Sequence, residues 1–348
     1  MKNKLWAIPL GILVSLAAYE SSAKAALLTS YQFNGKGNWS IDGVGSNNTP
    51  VGILDAFVPA GSTVEAAFLY SSLYSLGRPT ATPTVVLDGI TYDASNFVAL
   101  GDFNPSSSLT LGAYRADVTS QVASKVGTGG GTFNFTVDSE NPNSNIDGEI
   151  LAVVYSNPLE QERTIAFLDG FSSSGGDTTT VNLSQPLDIT TPGFEALLSL
   201  GIGFGFQGGS QFSTVDVDGR RLTSSAGGQD DGVSSNGGLI TVGGLGDSTA
   251  NPSDPFANPT SSSSDDELYN LAVGNSTNPA PFLTSGATSF DIDTENPSLD
   301  DNLFFLGINI TAEANINAPI DVPEPSTIIG LLAIGFGGSL LKKKVHKA

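Results

Sequence analysis

A short acidic phrase occurs twice in this chain, and the duplication constrains the fold more than any other feature. Phe133-Asn134-Phe135-Thr136-Val137-Asp138-Ser139-Glu140-Asn141-Pro142 returns as Ser289-Phe290-Asp291-Ile292-Asp293-Thr294-Glu295-Asn296-Pro297. The shared core is Asp-(Ser/Thr)-Glu-Asn-Pro. Each copy follows a β-like run and precedes an apolar one, Ile150 to Tyr155 and Leu303 to Ile308. Upstream, Val85-Val86-Leu87-Asp88-Gly89 is echoed by Val215-Asp216-Val217-Asp218-Gly219, each reading as a strand that ends in an Asp-Gly turn. Ala113 to Val118 is a weaker match to Leu268 to Val273. Four features in one order predict two copies of one unit, residues 26–157 and 158–316. A Gly/Ser/Asn-rich loop over 227–265 is expected to stretch the second copy.

Both copies are dominated by short runs of β-branched and aromatic residues between Gly, Pro, Asn and Asp clusters. Thr63 to Tyr70, Thr164 to Leu168 and Leu197 to Phe206 are examples. Val118 to Val126 is the one short helix candidate. The expected fold is all-β: two tandem sandwiches of jelly-roll or immunoglobulin-like type. Gly201, Gly203 and Gly205 within a buried strand predict close packing or a bulge.

Composition excludes whole classes of chemistry. The chain has 348 residues, no cysteine and one histidine, His346. Disulfides, thiolate metal sites and a cysteine nucleophile are therefore impossible. A serine–histidine triad would need a histidine in a basic tail. The net charge of −21 argues against nucleic acid as a partner.

Both ends read as addresses. Lys2 and Lys4, the apolar run Leu5 to Ala18 and the small pair Ala23 and Ala25 make residues 1–25 a secretory signal peptide with its cleavage site. At the other end, Pro323-Glu324-Pro325 precedes the apolar run Ile328 to Leu341, followed by Lys342, Lys343 and Lys344. The lysines act as a cytoplasmic stop. Fourteen apolar residues interrupted by glycines are marginal for a membrane span. Residues 1–25 carry a net +2 and 326–348 a net +4, which leaves −27 between them.

This tail resembles the PEP-CTERM sorting signal of Gram-negative and cyanobacterial surface proteins. The resemblance implies a C-terminal hydrophobic sorting helix and recognition by an exosortase-like membrane protease, with cleavage near Pro323-Glu324-Pro325 after signal peptidase has acted at the N-terminus. It implies a transient inner-membrane precursor and a final location at the cell surface or outside the cell. A role in the extracellular polysaccharide layer, in biofilm or in adhesion follows from the same resemblance. The stretch Asp147-Gly148-Glu149 to Tyr155 with Asp169-Gly170 is loosely similar to repeat domains of uncharacterised bacterial surface proteins.

Three chemistries are compatible with the middle of the chain. Asp138, Glu140 and Asp147 in the first copy, and Asp293, Glu295 and Asp300 in the second, gather the oxygen ligands that calcium takes. The same residues serve equally as polar turns that satisfy local backbone donors. Carbohydrate binding would use exposed aromatics such as Trp39, Tyr70 and Tyr74, although Trp39 also reads as a core plug. A glycosidase needs two carboxylates about 5–10 Å apart in a cleft. Glu140 and Glu149 can be nominated, but nothing in the spacing selects them. The expectation is a nonenzymatic surface or matrix protein, with a carbohydrate-binding or carbohydrate-active protein as the alternative.

Overall fold

The computed structural model describes residues 27–46, 50–76, 82–106, 109–139, 145–172, 175–203, 213–226, 240–256, 267–298, 302–314 and 316. The expected signal peptide, Ala23, Ala25, the Pro323-Glu324-Pro325 motif, the sorting helix and Lys342 to Lys344 lie outside them, as do Glu140 and Asp300. Among the described residues no helix is long and apolar enough to cross a membrane.

The chain is all-β and sandwich-like. Its strands are β1 (Leu28–Gly45), β2 (Val51–Val58), β3 (Thr63–Leu76), β4 (Val85–Leu87), β5 (Ile90–Tyr92), β6 (Val98–Ser106), β7 (Leu109–Asp117), β8 (Gly131–Ser139) and β9 (Asn145–Ser156). They continue with β10 (Glu162–Asp169), β11 (Asp177–Asn182), β12 (Ala196–Gly203), β13 (Ser213–Val217), β14 (Arg220–Ala226), β15 (Ile240–Val242), β16 (Leu268–Asn270), β17 (Ser289–Glu295) and β18 (Asn302–Ile310). One short helix, α1 (Thr119–Val126), buries Val122 and Val126 where the helix candidate was expected.

β15 corrects the expected loop over 227–265. Ile240 and Val242 are buried and pair with Gly203 and Gly201, so this part of the segment is sheet. Three β-branched residues suffice to add a strand to a waiting edge, although they are too few to give a periodic signal.

One long sheet carries the order β15-β12-β18-β10-β1-β9-β3-β7-β6, with β16 also paired to β12. Two short sheets have the orders β2-β8-β4-β5 and β11-β17-β13-β14. Adding nine to each strand number of the first short sheet gives the second. The Asp-Gly turns match in the same way. Asp88 and Asp218 take φ of 49° and 48°, each followed by a glycine with positive φ, as a tight hairpin turn requires. Each aspartate also bonds the adjacent strand twice. Asp88 N–H donates to the Thr136 carbonyl (2.7 Å) and its carboxylate accepts from Thr136 N–H (3.0 Å). Asp218 does the same with Asp291, at 2.9 Å in both directions.

The long sheet is folded back on itself through β1. Leu28 to Lys36 pair with β10, whereas Gly37 to Gly45 pair with β9. At the change of partner the backbone approaches its neighbours closely. A Cβ on Gly37 would lie 2.3 Å from the Tyr155 carbonyl oxygen and 2.8 Å from the Phe33 ring. Three apolar cores result. Leu54, Leu69, Phe135 and Leu151 fill the space between the first short sheet and its wing of the long sheet. Leu198, Val215, Phe290 and Leu306 do so for the second. A third core lies between the two wings and joins Ile41, Phe68, Tyr70 and Ile150 to Phe167, Phe304 and Phe305. The expected close packing of the β12 glycines is seen there. A Cβ on Gly201 would be 2.9 Å from Ile150 Cδ1, and the register shifts between Gly201 and Ile202.

Phe167 is the hub of this seam, with Tyr31, Trp39, Phe68 and Phe305 around it at ring distances of 5.3–6.4 Å. One polar network crosses the same seam. Arg115 pairs with Asp169 at 2.5 Å, and Tyr70 Oη donates to the same carboxylate oxygen at 3.2 Å. Each buried phenylalanine contributes about 2–3 kcal/mol of apolar burial. A desolvated ion pair breaks even at best against a well-packed apolar replacement. Apolar packing therefore holds the wings together, and the Arg115–Asp169 pair fixes how they sit.

Candidate functional site

Of the expected metal residues that are described, Asp138 and Asp147 lie on different sheets, whereas Asp293 and Glu295 share one face. In β8 the side chains alternate, so that Phe135 and Val137 face the core and Asp138 faces outward. Asp147 lies on β9 in the opposite sheet and is fully buried. In β17 the same alternation sends Phe290 and Ile292 inward and Asp293 and Glu295 outward. Among the described residues no three carboxylate or imidazole groups gather closely enough to hold one ion.

Asp293 and Glu295 do line a groove of about 670 Å³ on the outer side of the second short sheet. The remaining lining includes Asp177, Thr178, Thr214 and Asp216, of which only Asp216 stands out in the sequence, as part of the repeated Asp-Gly segment. Strand register explains the gathering. Thr178 and Asp216 both lie opposite Asp293, on β11 and β13. Thr178 Oγ1 donates to the Asp293 carboxylate at 2.5 Å, and Arg221 neutralises Asp216 through bonds of 2.6 and 3.3 Å. The groove is a polar surface of acceptors and hydroxyls. Its chemistry is suited to hydroxyl-rich or cationic groups.

Trp39 is half-buried. It stacks on Phe167 with an interplanar angle of 17° and lies 2.8 Å from where a Gly307 Cβ would be. Tyr70 is fully buried in the seam. These aromatics pack the core between the wings, and neither stands free as a stacking platform.

Glu149 is a strongly perturbed acid. It is fully buried and accepts hydrogen bonds from Ser46 Oγ and from Ser139 Oγ, the latter at 2.6 Å. Ser46 follows β1, Ser139 ends β8 and Glu149 lies on β9, so one carboxyl ties the first short sheet to the long one. Burial pushes its pKa up to about 7, partly offset by the serine hydroxyls and aided by the charge on Asp138. In the second half a buried amide fills the comparable end of β18. Asn302 Nδ2 donates to the Ser172 carbonyl at 2.7 Å. Asp42 is also raised, to about 6, by burial, although it accepts the Asp55 N–H.

No protein-family model matches the chain, and no curated protein matches it. Among solved structures it has a likeness to PNGF-II in a C2 crystal form. That likeness has 12% identity and a TM-score of 0.24, and covers 84% of this chain and 66% of that one. A likeness so low carries no argument about fold or function.

Glu149 and Asp42 make stability depend on pH. Each is neutral in the folded state at pH values where the unfolded chain has already lost the proton, so the unfolded state binds fewer protons and stability falls as pH rises. The Glu149 contribution is complete below about pH 4.5 and gone above about pH 7. Its size is on the order of 3 kcal/mol. Denaturant midpoints measured from pH 4 to 8 are expected to fall across that window. Glu149→Gln should flatten the fall and leave the Asp42 part below pH 6. An unchanged slope in Glu149→Gln would show that this carboxyl does not hold its proton in the fold.

Proposed function

We propose that the chain is an exported, acidic, nonenzymatic cell-surface or extracellular-matrix protein. In this reading it consists of two tandem copies of one β-sandwich. It is trimmed by signal peptidase at Ala23 to Ala25, and by an exosortase-like protease near Pro323-Glu324-Pro325. Its work is association with extracellular polysaccharide, in biofilm or adhesion. The matched strand orders of the two short sheets, with their paired Asp-Gly turns, support the duplication.

One observation carries the processing part. Both proposed cuts fall outside the described residues, and the first and last described segments are fastened to each other. Thr29 Oγ1 donates to the Ile316 carbonyl at 3.0 Å, and Gln32 Oε1 accepts from Ile316 N–H at 3.0 Å. Ala25 lies two residues before Leu27, and Pro323 seven residues after Ile316. Removing both ends cuts no described strand.

The carbohydrate-binding alternative rests on the groove around Asp293, whose carboxylates and threonine hydroxyls offer bonds to sugar hydroxyls. Calcium stays in the proposal for the second acidic turn, with Asp293, Glu295 and Asp300 as the ligands. Identical melting temperatures with millimolar calcium and with chelator would remove it.

The test of the main reading is the mass of the exported protein in a host with an exosortase-type protease. The wild type is expected to lose both ends. A variant with Pro323→Ala and Glu324→Ala should lose only the N-terminal one. Loss of the tail at the same position in that variant, or in a host lacking the protease, would contradict the sorting reading.

A further inference from the structure

We propose that the strand order equips the folded body to withstand tension entering from its C-terminal end. The proposal rests on the reading above, in which that end is the attached one.

The last described strand, β18, is tied more firmly than the first, β1. It lies inside the long sheet with β10 on one side and β12 on the other. Every residue from Asn302 to Ile310 is buried, and Leu303, Phe304, Phe305, Leu306 and Ile308 are packed into two different cores. The first strand is tied differently. Leu28 to Lys36 pair with β10 alone, and Leu28 is 66% exposed.

Between β18 and the tail runs a short strap. Thr164 Oγ1 donates to the Ala312 carbonyl (2.8 Å) and accepts from Ala314 N–H (2.9 Å). Gln32 holds Ala314 and Ile316 through both ends of its amide, at 2.9 and 3.0 Å. A pull on the tail breaks these bonds one after another, each worth about 1 kcal/mol, so the strap yields gradually. The load then reaches Ile310. A tethered body rotates freely until the pull leaves through that end of β18, along the strand. Two ladders and the side chains locked in both cores then have to slip together. A pull on Leu28 loads one ladder at a sheet edge.

The absence of cysteine allows a clean test, because one introduced thiol is a unique handle. The full chain is stretched in single-molecule experiments between its two termini, and separately between the C-terminus and Glu295→Cys. Glu295 is exposed at the end of β17, which is itself flanked by β11 and β13. Terminus-to-terminus stretching should fail at β1. Stretching from Glu295 should need a higher force, because two ladders resist instead of one. The terminus-to-terminus traces should also show β1 leaving before β18, by the chain length first released. Equal forces in the two geometries, or early release of β18, would overturn the proposal. A chain that shows this asymmetry but keeps its tail in the host upholds the strand-order inference and removes the anchor reading. Normal trimming with equal forces does the reverse.

Discussion

Everything in this fold depends on β1 being shared. One strand gives its first half to β10 and its second half to β9, so the two wings of the long sheet cannot separate without breaking it. The same strand also closes the first short sheet. Ser40 Oγ accepts from Phe57 N–H at 2.8 Å, and Asp42 accepts from Asp55 N–H at 2.5 Å. These are two outward-facing donors of the edge strand β2. An edge with its donors already occupied is a poor template for another chain. That protection has a cost, since it places Asp42 where burial raises its pKa.

The acidic composition is distributed by the same logic. Most of the described carboxylates lie on outer faces, where Asp291 and Asp293 bond to threonines across the strand and Asp216 bonds to Arg221. Residues 26–325, with about five acids per basic residue, cannot pair them all and rely on solvent and spacing. Inside, the chain solves the problem with protons and hydroxyls. Glu149 is held by serines and, by its raised pKa, keeps its proton into the neutral range. The second half avoids the issue by using an amide, Asn302, at the comparable end of β18.

Much of the fold was legible because it is local. Alternating apolar residues in Phe133 to Val137 and Phe290 to Ile292 announce half-buried strands, and Asp88-Gly89 and Asp218-Gly219 announce tight turns. The helix at Thr119–Val126 falls within the one short helix candidate, Val118 to Val126. What stayed hidden is long-range. Nothing in Leu28 to Gly45 signals that its two halves belong to different wings, because pairing partners leave no trace in one strand's own pattern. The metal residues were chosen by sequence proximity. A period of two sends Asp138 outward on one sheet, while Asp147 sits inside on another. The groove was missed for the converse reason. Asp177, Asp216 and Asp293 are far apart in sequence, and only strand register brings them to one surface.

The central claim is that β1 makes one cooperative unit of two similar halves. Differential scanning calorimetry of the chain tests it most directly, by comparing the measured unfolding enthalpy with the van't Hoff value. The account predicts a single transition in which the two agree. It also predicts that Gly37→Val, which drives a side chain into the Tyr155 carbonyl, lowers that one transition as a whole. Two resolved transitions in the wild type, or a Gly37→Val variant in which only one half melts early, would contradict it.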